Sequence, residues 1–283
     1  MPRPQQSRLQ CGRFEFTLDR PLVMGIVNLT PDSFSDRVRL TEPKAAIDAA
    51  LLMVEHGADI LDLGGESTRP GAQAVSASEE LERLLPVIEG LRGCGRPLSI
   101  DTRKPEVMRE VLAAGVDMIN DIGGFTEPGA IEAVAAGASA LCVMHMKGQP
   151  QTMQQAPAYD DVVSEVDEFL LERVEALVAA GVSQSRIVVD PGIGFGKNTR
   201  HNLLLLEALD ELVGLGQPIL VGVSRKSLIG ELTGQPADRR LAGSLAAALA
   251  SVARGARIVR VHDVAETCDA LKVWQAIDQV AGG

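Results

Sequence analysis

Residues 58–71 read ADILDLGGESTRPG, a short apolar run that ends directly in a polar loop. Residues 59–64 have the length and composition of a strand, and helical stretches flank them at 42–56 and 79–92. The same order repeats along the chain, with predicted strands at 22–28, 59–64, 97–101, 117–122, 139–145, 187–190, 218–224 and 257–262. Strands that alternate with helices form parallel βαβ units, and eight such units close a barrel. We therefore predict an α/β fold consisting of a single (β/α)8 TIM barrel.

The barrel is expected to span residues 22–283 as one domain, because no long Pro/Gly/Ser linker divides this stretch. Residues 1–21 are polar with scattered prolines. We expect them to form a loose N-terminal arm, with a short hairpin near Phe14 and Phe16.

The composition argues against two classes of binding partner, nucleic acids and membranes. The 283 residues carry 38 acidic and 27 basic side chains, a net charge of −11, which argues against a nucleic-acid partner because phosphates attract basic surfaces. No apolar run approaches the roughly 18 residues of a membrane helix, so we expect no membrane partner. The four cysteines lie far apart and the N-terminus has no apolar targeting segment, which favours reduced thiols in a cytoplasmic protein.

Polar residues recur on one face of the predicted strands. Asp62, Asn120 and Arg260 occupy the same position of a weak internal repeat, and the positions between the polar ones are almost all apolar. Because alternate side chains of a strand point to opposite faces, the polar set faces the barrel interior. Buried polar groups without partners cost free energy, so this set indicates a pocket at the C-terminal strand ends.

The charges at these strand ends indicate the chemistry of a ligand. Cations gather there despite the net negative charge of the chain: Arg69, Lys197, Arg225, Lys226, Arg260 and His262. They predict an anionic ligand, because guanidinium and ammonium groups bind phosphate oxygens. Asp101, Asn120 and Asp190 add acceptors that suit the adjacent N–H groups of a flat heterocycle. The residues alone thus predict a phosphorylated aromatic heterocycle.

Other motifs are given structural roles. The glycines of PGIGFGKN at 191–198 lack the spacing of a nucleotide-binding loop, so we expect a flexible loop after a strand. His145 follows a strand and is predicted to be a structural histidine. The four histidines lack metal-ligand spacing, which argues against a protein-bound zinc site.

Eight collinear motifs across nearly the whole chain resemble those of the dihydropteroate synthases. They are VMGIVNLTPDSFSD (23–36), GGESTRPGA (64–72), SIDTRKPEV (99–107), INDI (119–122), MHMKGQPQTMQ (144–154), DPGIGFGKN (190–198), GVSRKSLIG (222–230) and RVHDVAET (260–267). The resemblance implies a (β/α)8 barrel of folate synthesis. It would join 6-hydroxymethyl-7,8-dihydropterin diphosphate to 4-aminobenzoate with Mg2+, give 7,8-dihydropteroate, and release diphosphate.

The resemblance also implies roles for individual residues. The pterin would be held by Asp101, Asn120, Asp190 and Lys226, with Met144 as a wall. The diphosphate would be bound by Asn28, Thr68, Arg260 and His262, with Asn28 also on the magnesium. Aminobenzoate would contact Arg69, Pro70, Phe195 and Ser227. Phe34 and Asp36 would close the first loop over the site, and together with Asp101 and Lys226 they form the predicted catalytic set.

One departure from the family pattern concerns the first loop. Glycines usually follow S-F-S-D in the family, whereas Arg37 and Val38 stand there in this chain. Val38 would stiffen the loop, because β-branched side chains restrict the backbone and glycine does not.

The sequence leaves two alternative functions open and also predicts how the chain assembles. A pterin-binding paralogue without turnover and a methyltransferase-like pterin barrel remain alternatives to a synthase. The S-T-R-P-G and S-R-K-S loops, together with Lys226, favour the synthase. The apolar helix at 241–253 and a final helix around Trp274 predict a homodimer.

Overall fold

The computed structural model describes residues 6–30, 42–67 and 71–281. In these ranges an initial pair of strands, β1 (Arg8–Cys11) and β2 (Phe14–Thr17), precedes the barrel. The barrel strands are β3 (Leu22–Asn28), β4 (Ile60–Gly64), β5 (Leu98–Asp101), β6 (Met118–Asp121), β7 (Ala140–Met144), β8 (Ile187–Asp190), β9 (Ile219–Val221) and β10 (Ala256–Val261). The α-helices are α1 (Pro43–Glu55), α2 (Ala77–Gly90), α3 (Pro105–Ala113), α4 (Ala130–Val134), α5 (Val162–Ala179), α6 (Thr199–Glu207), α7 (Leu209–Leu212), α8 (Ser227–Thr233), α9 (Leu241–Ala253) and α10 (Val264–Ala281).

The strands β3 to β10 close into a barrel in chain order, with β10 pairing β3. Every pair is parallel, and the register places Asn28 beside Gly64 and Asp101 beside Asn120. The predicted (β/α)8 barrel is therefore confirmed, with a strand at each of the eight predicted positions. The strand predicted for 218–224 is shorter than expected, since only Ile219–Val221 pair as a strand.

The alternation of strand side chains divides the apolar core into two layers. Outward residues such as Leu61, Ile119 and Val259 join the helices in one large buried cluster. Inward residues, among them Met24 and Cys142, form a second cluster inside the barrel. The prediction that apolar positions face the helices while the intervening set faces the interior is confirmed.

The hairpin β1–β2 covers the N-terminal end of the barrel. Leu9 and Cys11 are fully buried against the inward residues of the barrel strands. The N–H of Gly12 donates to the carbonyl of Ala138 at 3.1 Å, and this bond fixes the turn between β1 and β2 against the residues that precede β7. The hairpin predicted near Phe14 and Phe16 is confirmed, but the expectation of a loose segment is wrong for residues 8–18, because their apolar side chains complete the inner core.

Local signals account for several helix starts. Ser76 begins α2 with a capping box, in which its hydroxyl accepts from the N–H of Glu79 while the Glu79 carboxylate accepts from the N–H of Ser76. Asp161 begins α5 with a simple N-cap, in which its carboxylate accepts from the N–H groups of Val163 and Ser164.

The stretch after β9 differs from the prediction. Helix α8 was not predicted, because seven residues are too few to show helical periodicity. Residues 199–212 form two helices, α6 and α7, which are divided at Ala208. In the described part of the chain, no helix is both long and apolar enough to cross a membrane.

Candidate active site

A cavity of about 770 Å³ opens at the C-terminal ends of the barrel strands. The strand ends and the loops after them supply Asn28, Asp101, Lys226, Arg260 and His262 to its wall. Phe195 and Ser227 line it as well. Seven of the residues predicted for the site are thus brought to one cavity.

A network of charged groups around Arg260 forms part of the wall. The Arg260 guanidinium donates from Nε to Oδ2 of Asp62 at 2.6 Å and from Nη2 to Oδ2 of Asp101 at 3.0 Å. Burial alone would lower the pKa of Arg260, but attraction to Asp62 and Asp101 outweighs burial and raises it. Burial raises the pKa of Asp101 to about 7, although the charge of Arg260 opposes the rise.

Lys226 joins two loops at the cavity. Its ammonium donates to the carbonyl of Ile193 and lies 4.5 Å from the centroid of the Phe195 ring, a cation–π contact. Burial lowers the pKa of Lys226 to about 8, and attraction to Asp190 limits the fall. Burial raises the pKa of Asp190, against the attraction of Lys226. Lys226 and Asp190 therefore stabilise each other's charged form.

Three predicted pterin residues do not line the cavity. Asn120, Met144 and Asp190 are buried in the barrel beside it. The strand register ties Asn120 to Asp101, which does line the cavity, and Met144 to Asp190. The side-chain amide of Asn120 donates to Asp62 at 3.3 Å, and the Asp190 carboxylate accepts from the N–H of Gly192 at 2.7 Å.

Lys197 lines the cavity, and its ammonium binds neighbouring protein groups. Its ammonium lies 2.8 Å from Nδ1 of His145 and donates to the carbonyls of Gly192 and Phe195 at 3.0 Å each. Burial lowers the pKa of Lys197 to about 7, against attraction to Asp190. The ammonium thus has three protein partners, and the role of Lys197 toward an anionic ligand stays a prediction.

The glycine loop at 191–198 is held in place from several sides. Gln154 donates to the carbonyl of Gly194, Tyr159 donates to the carbonyl of Gly196 at 2.9 Å, and Lys197 spans the loop. A flexible loop was expected from its glycines, and that expectation is wrong because these side chains bind its backbone.

His145 is the predicted structural histidine, and this prediction is confirmed. Its ring meets Phe169 edge-on at 5.0 Å and its Nδ1 faces Lys197. Burial, together with the charge of Lys197, lowers the pKa of His145 to about 3, so the ring is neutral near pH 7.

The other two predicted cations have protein partners while lining the cavity. Arg225 binds Asp263 through two nitrogens, one of them at 3.0 Å. His262 places Nδ1 3.0 Å from the hydroxyl of Ser224, which also accepts from the His262 N–H at 3.2 Å. These contacts fix the side chains at the ends of β9 and β10.

The sequence prediction missed a cluster at the second loop, which is the loop that follows β4. Lys104 donates to Glu66 at 2.6 Å and to Glu80 at 2.5 Å, and Glu66 lines the cavity. Glu80 is fully buried. The position of Lys104 in the SIDTRKPEV motif, three residues after Asp101, was a signal of proximity to the site, but the sequence did not show its partners.

Seven residues discussed above lie outside the described part of the chain. They are Phe34, Asp36, Arg37, Val38, Thr68, Arg69 and Pro70.

Comparison with known proteins gives the family. The profile of the family described as pterin binding enzyme matches residues 24–262. A dihydropteroate synthase of Neisseria meningitidis serogroup B is 53% identical over 275 residues, covering 95% of this chain and 96% of the relative. The enzyme of Escherichia coli K12 is 48% identical over 260 residues, covering 92% of each chain. The chain belongs to the dihydropteroate synthase family. As a member of this family the protein is a transferase of folate biosynthesis.

Solved dihydropteroate synthase structures agree with this assignment. The Burkholderia cenocepacia enzyme in complex with 7,8-dihydropteroate is 53% identical, with a TM-score of 0.88 and 98% of each chain covered. The Xanthomonas albilineans enzyme with 4-aminobenzoic acid is 52% identical, with a TM-score of 0.89 and coverage of 97% of this chain and 99% of that one. The resemblance stated from the motifs is confirmed, and these relatives support a synthase rather than a methyltransferase-like barrel.

Proposed function

We propose that the cavity at the C-terminal strand ends is the place where this dihydropteroate synthase condenses 6-hydroxymethyl-7,8-dihydropterin diphosphate with 4-aminobenzoate. One observation carries the proposal: Arg260 binds Asp101 at 3.0 Å at the wall of the cavity that Lys226 also lines. Groups suited to an anion and groups suited to a heterocycle therefore meet at one place. In the reaction the bond from the pterin methylene to the diphosphate oxygen breaks, and a bond to the aniline nitrogen forms.

The pterin ring is assigned to the inner part of the site. Asp101, Asn120, Asp190 and Lys226 would bind its polar edges, with Met144 as a packing wall. Burial favours this arrangement, because hydrogen bonds from an N–H edge to a carboxylate are stronger away from water. The X. albilineans enzyme has also been solved with 6-chloroguanine, another flat bicyclic heterocycle.

The diphosphate is assigned to the outer part of the cavity. Asn28, Arg260 and His262 line the cavity and would bind the diphosphate oxygens, and Thr68 would join them by motif. Arg260 supplies a guanidinium that stays charged, because attraction to Asp62 and Asp101 raises its pKa. A cation of this kind stabilises the charge that develops on the departing diphosphate.

The donor set fits a magnesium ion that is shared with the substrate. In residues 6–30, 42–67 and 71–281 no cluster of three His, Cys, Asp or Glu side chains is suited to a metal. Mg2+ usually binds through one or two protein oxygens together with substrate phosphates and water. Asn28 offers such an oxygen beside Gly64 at the cavity. When bound, the ion would neutralise charge on the diphosphate.

The aminobenzoate is assigned to the side of the cavity where Phe195 and Ser227 lie. The Phe195 ring offers an apolar face for the aromatic substrate, and Lys226 holds that ring from one side at 4.5 Å. Arg69 and Pro70 would complete this pocket, and Phe34 and Asp36 would close the first loop over it. The substitution of the usual glycines by Arg37 and Val38 would affect that closure.

The proposed chemical step begins with loss of the diphosphate. The bond to oxygen breaks and leaves a pterin cation, whose charge the Asp101 carboxylate stabilises while the ring is held in place. The neutral aniline nitrogen then attacks the methylene carbon and afterwards loses a proton. The protein contributes positioning and electrostatic stabilisation.

Release of diphosphate tests this function. The purified protein, mixed with both substrates and Mg2+, is expected to release one diphosphate for each dihydropteroate formed. Omission of 4-aminobenzoate is expected to stop product formation. Binding of the pterin without dihydropteroate formation would instead identify a paralogue that lacks turnover.

We further infer a cytoplasmic homodimer. Helix α10 exposes Val273 and Ile277, which keep 61% and 67% of their surface accessible, and a second copy of the chain would cover them. Two-fold symmetric dimers are the commonest assembly among soluble homo-oligomers. Light scattering at micromolar concentration is expected to give twice the mass of the chain, and a monomer mass would contradict the dimer.

A further inference from the structure

Asp62 is a fully buried carboxylate that the residue roles proposed above do not use. It lies in the middle of β4 and points into the barrel below the cavity. Ser99 donates its hydroxyl to Oδ1 at 2.6 Å, while Oδ2 receives Arg260 Nε at 2.6 Å and the Asn120 amide at 3.3 Å. Asp62 and Arg260 thus form a buried ion pair.

The contact between Asp62 and Asn120 determines which way round the Asn120 amide stands. An ionised carboxylate can only accept hydrogen bonds, so the Asn120 Nδ2 group must face Asp62. The Asn120 Oδ1 atom then points elsewhere. It is buried, and within the described residues it has no hydrogen-bond partner.

An unpaired buried carbonyl oxygen indicates what a ligand must bring. Leaving such an acceptor unsatisfied costs free energy, and an N–H donor from a ligand removes that cost. Asn120 pairs with Asp101 in the strand register, so its amide stands at the level of the cavity wall. If Asn120 were reversed, it would present a donor and favour a ligand with an acceptor at this edge.

We propose that Asp62 is a specificity-determining positioning residue, which locks the Asn120 amide with its oxygen directed to an N–H group of the heterocyclic substrate. The proposal rests on the proposed function, since it assigns the heterocycle to Asn120. Asp62 acts through Asn120 and does not itself touch the substrate. In the resulting chain of hydrogen bonds, the Asn120 Nδ2 group donates to Asp62, and the Asn120 Oδ1 atom accepts from the N–H group of the ligand.

The test uses Asp62→Asn in the full-length protein. The new side chain has nearly the same shape, but it can either donate or accept, so both orientations of the Asn120 amide become possible. We expect kcat/KM for the pterin diphosphate to fall by about tenfold or more, because a wrongly oriented amide leaves a buried group unpaired. The KM for 4-aminobenzoate is expected to change by less than about threefold, since Asp62 contacts no group assigned to that substrate.

A double-mutant cycle with Asn120→Ala separates this effect from the contact with Arg260. Any loss that travels through Arg260 is present with and without the Asn120 amide, so it cancels in the comparison. The loss caused by Asp62→Asn is expected to shrink by at least about threefold in the Asn120→Ala background. Equal losses in the two backgrounds would overturn the proposal.

Ser99→Ala is the matched control. It removes a partner of the same carboxylate without releasing the Asn120 amide, so the ratio of the two substrates' KM values is expected to stay the same. If Ser99→Ala lowers kcat/KM for the pterin diphosphate as much as Asp62→Asn does, Asp62 is only structural and the proposal is wrong. Thermal unfolding of each variant shows that it is folded, and Asp62→Ala replaces Asp62→Asn if the latter does not fold.

The experiments distinguish a failure of the synthase assignment from a failure of the role proposed for Asp62. If the unchanged protein releases no diphosphate from the two substrates, the synthase assignment itself fails. If the unchanged protein is active and the double-mutant cycle is additive, the synthase assignment stands and only the role of Asp62 falls.

Discussion

The Lys197 ammonium lies 2.8 Å from Nδ1 of His145, so these two residues are partners of each other. The contact ties the end of β7 to the glycine loop that follows β8. The same ammonium binds the carbonyls of Gly192 and Phe195, which places the Phe195 ring at the cavity. A buried lysine thus holds the loop that carries Phe195, on the side of the cavity proposed to take aminobenzoate.

Replacement of this lysine is expected to weaken both the fold and the aminobenzoate pocket. Lys197→Met leaves several buried acceptors unpaired, and the free energy of unfolding is expected to fall by about 1–3 kcal/mol. The KM for 4-aminobenzoate should rise more than that for the pterin diphosphate, because Phe195 lies in the affected loop. Urea unfolding and steady-state kinetics measure the two effects. Lys272→Met, which removes an exposed lysine, serves as the control and should change neither.

The pH dependence of the reaction is expected to be a narrow bell. Asp101 must lose its proton to stabilise the cation, and its pKa is raised to about 7, so kcat/KM should rise with pH up to that value. Lys226 must keep its proton, and its pKa is lowered to about 8, so kcat/KM should fall above that value. A profile of kcat/KM for the pterin diphosphate from pH 5 to 10 reports both groups.

The variant Lys226→Arg is the control for the fall of kcat/KM at high pH. Arginine stays charged throughout the range, so Lys226→Arg should remove the fall at high pH while lowering the overall rate. If the fall persists in the variant, Lys226 is not the group responsible.

The sequence predicted the barrel and much of the site because both depend on local patterns. Polar residues stand at or just after the end of each predicted strand, and barrel closure brings Asp101, Lys226 and Arg260 together from distant parts of the chain. The partners of these residues could not be predicted, because each pair joins distant parts of the chain. Lys197 and His145 are 52 positions apart, and Arg260 and Asp62 are 198 apart.

The hairpin illustrates the same difference. Its turn was predicted from local sequence, whereas its place against the barrel depends on contacts with strands more than a hundred residues away, such as the one between Cys11 and Asp117. Charge patterns were a weaker guide. Lys197 and Arg225 both line the cavity, but the charge pattern did not show that Lys197 also binds the backbone of its own loop or that Arg225 binds Asp263.

Removal of the Asp190 carboxylate is expected to abolish most pterin binding. Asp190→Ala removes an assigned acceptor for the heterocycle and leaves Lys226 without its charge partner, which should lower the pKa of Lys226 further. The loss of binding free energy should be about 2–4 kcal/mol or more, since charge-assisted contacts of this kind are strong. Calorimetry with a dihydropterin ligand measures it, and circular dichroism checks the fold. Unchanged affinity would contradict the assignment of Asp190.

Loss of the lysine under the second loop is expected to destabilise the protein. Lys104→Met leaves the fully buried Glu80 without its cation, and breaking a buried pair costs about 3–5 kcal/mol. Glu66 would also lose its anchor, so substrate KM values should rise. Lys44→Met is the matched control, because Lys44 also pairs with a carboxylate but is 87% exposed, and its loss should cost less than about 1 kcal/mol. Equal destabilisation by the two variants would show that burial of Glu80 is not the cause.

Sulfonamides are expected to compete with 4-aminobenzoate in this protein. They imitate its aniline and its para anion, and the Yersinia pestis dihydropteroate synthase, 44% identical with a TM-score of 0.92, has been solved with a sulfonamide drug complex. The drug should raise the apparent KM for 4-aminobenzoate and leave kcat unchanged. Phe195→Ala should weaken the drug and the substrate together, because both would use the same ring at the cavity. Ser99→Ala, away from that side, should weaken neither. Inhibition that does not depend on the concentration of 4-aminobenzoate would place the drug elsewhere, and a loss of drug affinity alone in Phe195→Ala would show that the two molecules do not share this wall.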